Sequence, residues 1–139
     1  MEITANALQT VLANQNVIFT DTAVCGSNSI IHREGSGLTT LKGLTNQCRA
    51  RFRIFFSGNI AVTTGGTVGP ISLAIAIDGE AVPATTMIET PAAVGHFFNV
   101  GSDVFVDVPR GCSATISVQN ISTEAIEVQN ANLIITREA

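Results

Sequence analysis

The sequence predicts an all-β domain built as a sandwich or barrel, and three observations carry that prediction. Apolar and polar residues alternate with period two along run after run, with Gly, Pro, Asp and Asn between the runs. No stretch of ten or more residues shows a firm helical period; Ile3 to Leu12 comes closest and is weak. The polar surface is made of uncharged groups, 16 Thr, 10 Asn, 9 Ser and 5 Gln, while charged residues are only 13%, against a usual figure of about 25%.

Taken in order, residues 1–14 read as an N-terminal arm or attachment segment, ahead of a single domain over 15–139. Asn16 to Thr20 reads as the first strand. Ser29 to Arg33 and Leu38 to Leu41 flank "EGSG" as a hairpin or a short excursion. Cys48 to Val62 is long enough for one strand or a bent pair. Ile71, Leu73, Ile75 and Ile77 share one face of the next strand. Asp78-Gly79 is a two-residue hairpin signal, because both positions of the matching turn need a positive φ. Thr86 to Glu89, Phe97 to Val108, Cys112 to Gln119 and Ala125 to Thr136 complete the set. In the last of these, Ala131, Leu133 and Ile135 point one way, and Val128 and Ile134 the other, beside Asn130 and Asn132. A strand apolar on both faces is covered on both. One cover is the core, and a neighbouring copy of the chain is the simplest second one.

Composition also excludes. A net charge of −4 speaks against a nucleic-acid binder. The charge-free run Ile54 to Ile77 has the length of a membrane span, but Ser57, Asn59, Gly65, Gly66 and Pro70 break it and its apolar residues alternate, so no membrane insertion is expected. Glu2 sits where a secretory signal would be basic. The three cysteines, Cys25, Cys48 and Cys112, form no C-x-x-C pair and are expected to be buried, reduced thiols.

"FRIFFSGNIAV" (Phe52 to Val62), "GPISLAIAIDGEAV" (Gly69 to Val82), "SDVFVDVPRGCSATISVQN" (Ser102 to Asn120) and "NANLIITRE" (Asn130 to Glu138) follow one another in an order that resembles the tumour necrosis factor and complement-type jelly-roll heads. The likeness covers about residues 15 to 137 and is to bacterial and phage versions, such as the heads of collagen-like spore-surface glycoproteins and phage head-decoration or fibre-head proteins. It implies a jelly-roll sandwich of 8–10 antiparallel strands that assembles as a homotrimer. It also implies that the sheet holding the first, last and long middle strands faces the threefold axis. On that basis Arg49, Arg51, Arg53, Phe55, Asp103, Phe105, Asp107, Asn132 and Ile134 belong to the axial sheet and the trimer interface. No Tyr, no Trp and no collagen repeat are present, which argues against transferring a receptor or sugar-binding role.

By strand alternation Arg49, Arg51, Arg53 and Phe55 share one face, as do Asp103, Phe105 and Asp107. Arg51 and Arg53 are therefore expected to pair with Asp103, Asp107 or Glu127, within or between copies. A solvated face and an anion-binding stripe are the rival readings.

Catalytic signatures are absent. "GGTVGP" lacks the Lys-Ser/Thr of a phosphate loop, and no G-x-S-x-G occurs. His32 and His96 have no spaced partner, although three copies of His96 around an axis would make a metal ring. No catalytic residue, metal or cofactor is expected. The expected function is structural: a homotrimer that decorates or caps a larger particle, most simply a phage virion, made in the bacterial cytoplasm and held to a capsid or other particle protein through the arm. The alternative is a glycan- or receptor-binding head on a spore, cell or phage-tail surface. Its candidate loops carry Thr64, Gly66, Thr67, Pro83, Thr85 and Pro91.

Overall fold

The long basic run settles into one uninterrupted strand. In the computed structural model, which describes residues 1–139, Arg49–Val62 (β6) buries Ala50, Phe52, Ile54, Phe56, Gly58 and Ile60 on one side and turns Arg49, Arg51, Arg53 and Phe55 outward. β6 is the spine of a six-stranded antiparallel sheet. Phe98–Pro109 (β10) lies along one side of it in twelve consecutive pairs without a bulge, and Ile126–Arg137 (β12) lies along the other. Beyond β12 come Glu2–Ala5 (β1) and Asp21–Val24 (β3), with Gln9–Val11 (β2) also paired to β12.

A second six-stranded sheet holds Ile30–His32 (β4), Thr39–Lys42 (β5), Ser113–Asn120 (β11), Ile71–Ile77 (β7), Glu80–Ala81 (β8) and Met87–Glu89 (β9). The Asp78-Gly79 turn joins β7 to β8 with φ of 53° and 86°, the geometry the dipeptide predicts. A single 3-10 turn, Pro83–Thr85, stands between β8 and β9. One continuous cluster of 28 buried side chains fills the space between the sheets, with Phe19 and Phe56 edge to face at 6.4 Å. No helix is long and apolar enough to cross a membrane.

Four expectations are corrected. Residues 1–14 are not a detached arm: Ile3, Ala5 and Val11 belong to the core, and β1 pairs with both β12 and β3. The short apolar residues of "ITANALQTV" gain their structure from long-range pairing, which no local pattern announces. Asn16 to Thr20 is not the first strand; it makes single bridges, Asn16 to Gln119 and Phe19 to Ser36, that stitch it to the second sheet. Val128 does not face away from the core. A register shift between Gln129 and Asn132, with Asn130 at φ 55°, adds an extra residue, so Ile126 and Val128 before it and Ala131, Leu133 and Ile135 after it all point inward. Finally, all three cysteines are exposed.

Candidate functional site

The outward face of the first sheet gathers the axial-sheet residues singled out from the sequence. Antiparallel register sets Asp107 beside Arg51, Phe105 beside Arg53, and Asp103 beside Phe55; on the other flank Ile134 lies beside Phe55 and Asn132 beside Ser57. Arg51 clamps Asp107 with two parallel bonds, Nε to Oδ1 at 2.7 Å and NH2 to Oδ2 at 3.0 Å. Arg49 reaches the same carboxylate at 3.1 Å. Arg53 donates Nε and NH2 to Asp103 Oδ2 at 3.1 and 2.6 Å. The pairing expected of Arg51 and Arg53 with Asp103 and Asp107 is thus present inside one chain. Glu127 takes no part: it lies far along β12, where its Oε1 accepts the Thr64 backbone N–H at 3.5 Å.

These ions are about half exposed, so in water each pair contributes little to stability. Their geometry fixes register instead. The hydrogen bond from Arg51 holds the Asp107 carboxyl below its ordinary range; partial desolvation opposes it, and the charges of Arg51 and Arg49 reinforce it. Arg51 and Arg53 are raised, chiefly by their bonds to Asp107 and Asp103.

Next to the ion pairs the face becomes apolar. Phe105 is 61% exposed, with the Arg51 guanidinium 5.9 Å from its ring centroid. Arg53, Phe55, Ile134 and Thr136 line an open hollow of about 270 Å³. Asn132 donates to Glu2 Oε2 at 2.9 Å, and its own Oδ1 is buried without a partner.

Toward the far end of the sheet the face becomes a row of amides. Asn99 Nδ2 donates to Asn59 Oδ1 at 3.1 Å, and Asn59 Nδ2 donates to Asn130 Oδ1 at 3.4 Å, across β10, β6 and β12. This row is illegible in the sequence because its members stand 40 and 71 residues apart. Only the β10–β6 register, with Asn99 opposite Asn59, exposes it.

The candidate recognition residues divide. Thr64, Thr67 and Pro83 are exposed and Gly66 is half-buried, whereas Thr85 and Pro91 are buried. Thr85 is fully enclosed; its hydroxyl donates to Val82 O at 2.7 Å and accepts from Ile75 N–H at 2.9 Å, so it braces the 3-10 turn against β7 and has no surface to offer a ligand. His32 faces Phe19 O through Nε2 at 3.2 Å and Thr39 Oγ1 through Nδ1 at 3.1 Å, a strand-locking role. No three His, Cys, Asp or Glu side chains are gathered as metal ligands. Asn120, first residue of an Asn-Ile-Ser sequon, is buried and donates to Val11 O and Glu124 O, which closes it to glycosylation.

The globular domain of zebrafish complement 1qA protein superimposes on the chain with a TM-score of 0.63, covering 96% of this chain and 93% of that one at 11% identity. The fold is therefore the jelly-roll sandwich of the complement-type heads. Looser likenesses link it to the C-terminal domain of EclA, a sugar-binding protein (TM-score 0.45, 14% identity, 95% and 79% covered), and to CBM35 of Cellvibrio japonicus Abf62 (TM-score 0.43, 8% identity, 100% and 98% covered), at a level that bears on nothing further. No family model matches the sequence, and no curated protein matches it.

Proposed function

We propose that the chain is a non-catalytic structural head that works as a homotrimer, with copies meeting on the outward face of the first sheet. The observation that carries the reading is the exposure of Phe105 on the same face as Phe55 and Ile134, a face whose guanidiniums already hold carboxylates of their own chain. Burying an unpaired charge in an interface is costly; burying a pair that is already satisfied costs much less. The low charge content lightens that cost across the whole surface. The partner of the trimer is a larger particle, and a phage virion is the particle that the sequence resemblance supports. Because residues 1–14 are woven into the sandwich, attachment falls to surface side chains of that segment, such as Leu8 and Leu12, which are 52% and 60% exposed. Placing a charge at the centre of the face tests the assembly. Phe105→Asp is expected to convert a species of about 43.5 kDa, three times the 14.5 kDa of one chain, into a folded monomer in sedimentation velocity. A mass unaffected by the substitution contradicts the proposed contact.

A further inference from the structure

We propose that the amide row Asn59–Asn99–Asn130, with the exposed ring of Phe97 on its side of the strand, is a binding site for a neutral saccharide. The row is not used up by its own hydrogen bonds. A carboxamide has two N–H donors and an oxygen with two lone pairs. After the two bonds along the row, Asn99 and Asn59 each keep one N–H, Asn130 keeps both, and the Asn99 oxygen keeps both lone pairs. Asn99 and Asn130 are exposed, so these groups face solvent. Donors and acceptors alternate across three strands, a pattern that matches vicinal hydroxyls, which donate and accept in turn.

The surroundings narrow the class. Phe97, two residues before Asn99 and so on its side by strand alternation, is 39% exposed and provides an apolar ring face for the C–H side of a sugar, whereas Phe98, opposite the inward Ile60, lies on the other face. With no Tyr or Trp in the chain, the polar edge those residues would bring comes from the amides. No Arg or Lys lies on the strands at this end of the sheet. Two acids lie close by: Glu127, which holds the Thr64 N–H, and Glu89 of β9, which lines a hollow with Asn99. A site without cations, next to a carboxylate, disfavours sulfated or uronic ligands and leaves neutral ones. The row stands four residues along β6 from Phe55, roughly 13 Å at a strand's rise. It lies at the end of the sandwich where the Gly95 N–H meets Val62 O and joins the loops of Thr64 and Pro91. The recognition surface therefore differs from the one the loops alone predict, and it shares the outward face of the first sheet with the assembly proposed above, at the end away from Phe105.

Affinity electrophoresis through gels containing mannan, dextran or a soluble β-glucan, with alginate as the anionic control, tests the site. Expected is retardation by at least one neutral polymer and none by alginate, with Asn99→Ala and Asn59→Ala each weakening retardation about tenfold, as the loss of one ligand hydrogen bond would. Asn99→Asp, near-isosteric at an exposed position, is expected to lose binding while keeping the thermal midpoint and the solution mass. No retardation by any neutral polymer, equal retardation by alginate, or full retention in the Asn99 variants overturns the site. A change of solution mass in Asn99→Asp overturns it too, and assigns the row to contact between copies.

Discussion

Replacing Thr85 by Val changes a hydroxyl into a methyl group of similar size in a fully enclosed place, so the substitution reads the hydroxyl almost alone. The Ile75 N–H, which donates to Thr85 Oγ1 at 2.9 Å, loses its acceptor; Ile75 is itself wholly buried, and no water can replace it. Val82 O keeps the Thr85 N–H at 3.0 Å and loses only its second donor. One buried, unmatched N–H costs about 1–3 kcal/mol, so the expected loss is about 2 kcal/mol. For a chain of this length that lowers the thermal midpoint by roughly 6–8 °C. Urea unfolding at fixed protein concentration should show the midpoint falling with an unchanged slope. Thr85→Ser keeps the hydroxyl and should lose only about 1 kcal/mol, the worth of one buried methyl. If Thr85→Val stays within about 0.5 kcal/mol of the parent chain, the hydroxyl braces nothing and the account of the 3-10 turn is wrong.

Two other outcomes are expected. Because the folded-state pKa of Asp107 is depressed, its contribution is present above the unfolded carboxylate value and disappears as pH falls through the lower folded value. Asp107→Asn should therefore flatten the decline of the thermal midpoint below about pH 4 and leave the curve near neutral pH with the same shape; an identical acid limb in both proteins contradicts the clamp. A thiol reagent added without denaturant should react with Cys25, Cys48 and Cys112, all exposed, while slow or absent reaction would restore the buried thiols that composition implies.

The strands of the middle and end of the chain were legible because their signals are local. β6 carries strict alternation from Arg49 to Phe56, Asp78-Gly79 demands its turn, and the Arg and Asp combs fall into register once β10 pairs with β6. What was hidden depends on distant partners. Glu2–Ala5 is a strand because β12 and β3 flank it, with Glu2 opposite Ile134. Val128 turns inward because a bulge at Asn130 changes the parity of the strand, and a bulge leaves no reliable mark in an Asn-rich run. Thr85 looked like a loop-tip residue among Pro, Ala and Thr; the 3-10 turn folds it under, where only a small hydroxyl-bearing side chain meets both Ile75 and Val82. The cysteines lie outside the strands, so alternation says nothing about their burial.

The face around Phe105, Phe55 and Ile134 makes self-association the centre of the account. Native mass spectrometry of the unmodified chain at micromolar concentration and near-neutral pH measures it directly. A dominant ion series near 43.5 kDa, three chains of 14.5 kDa, is the predicted result. A dominant 14.5 kDa species across that concentration range contradicts it.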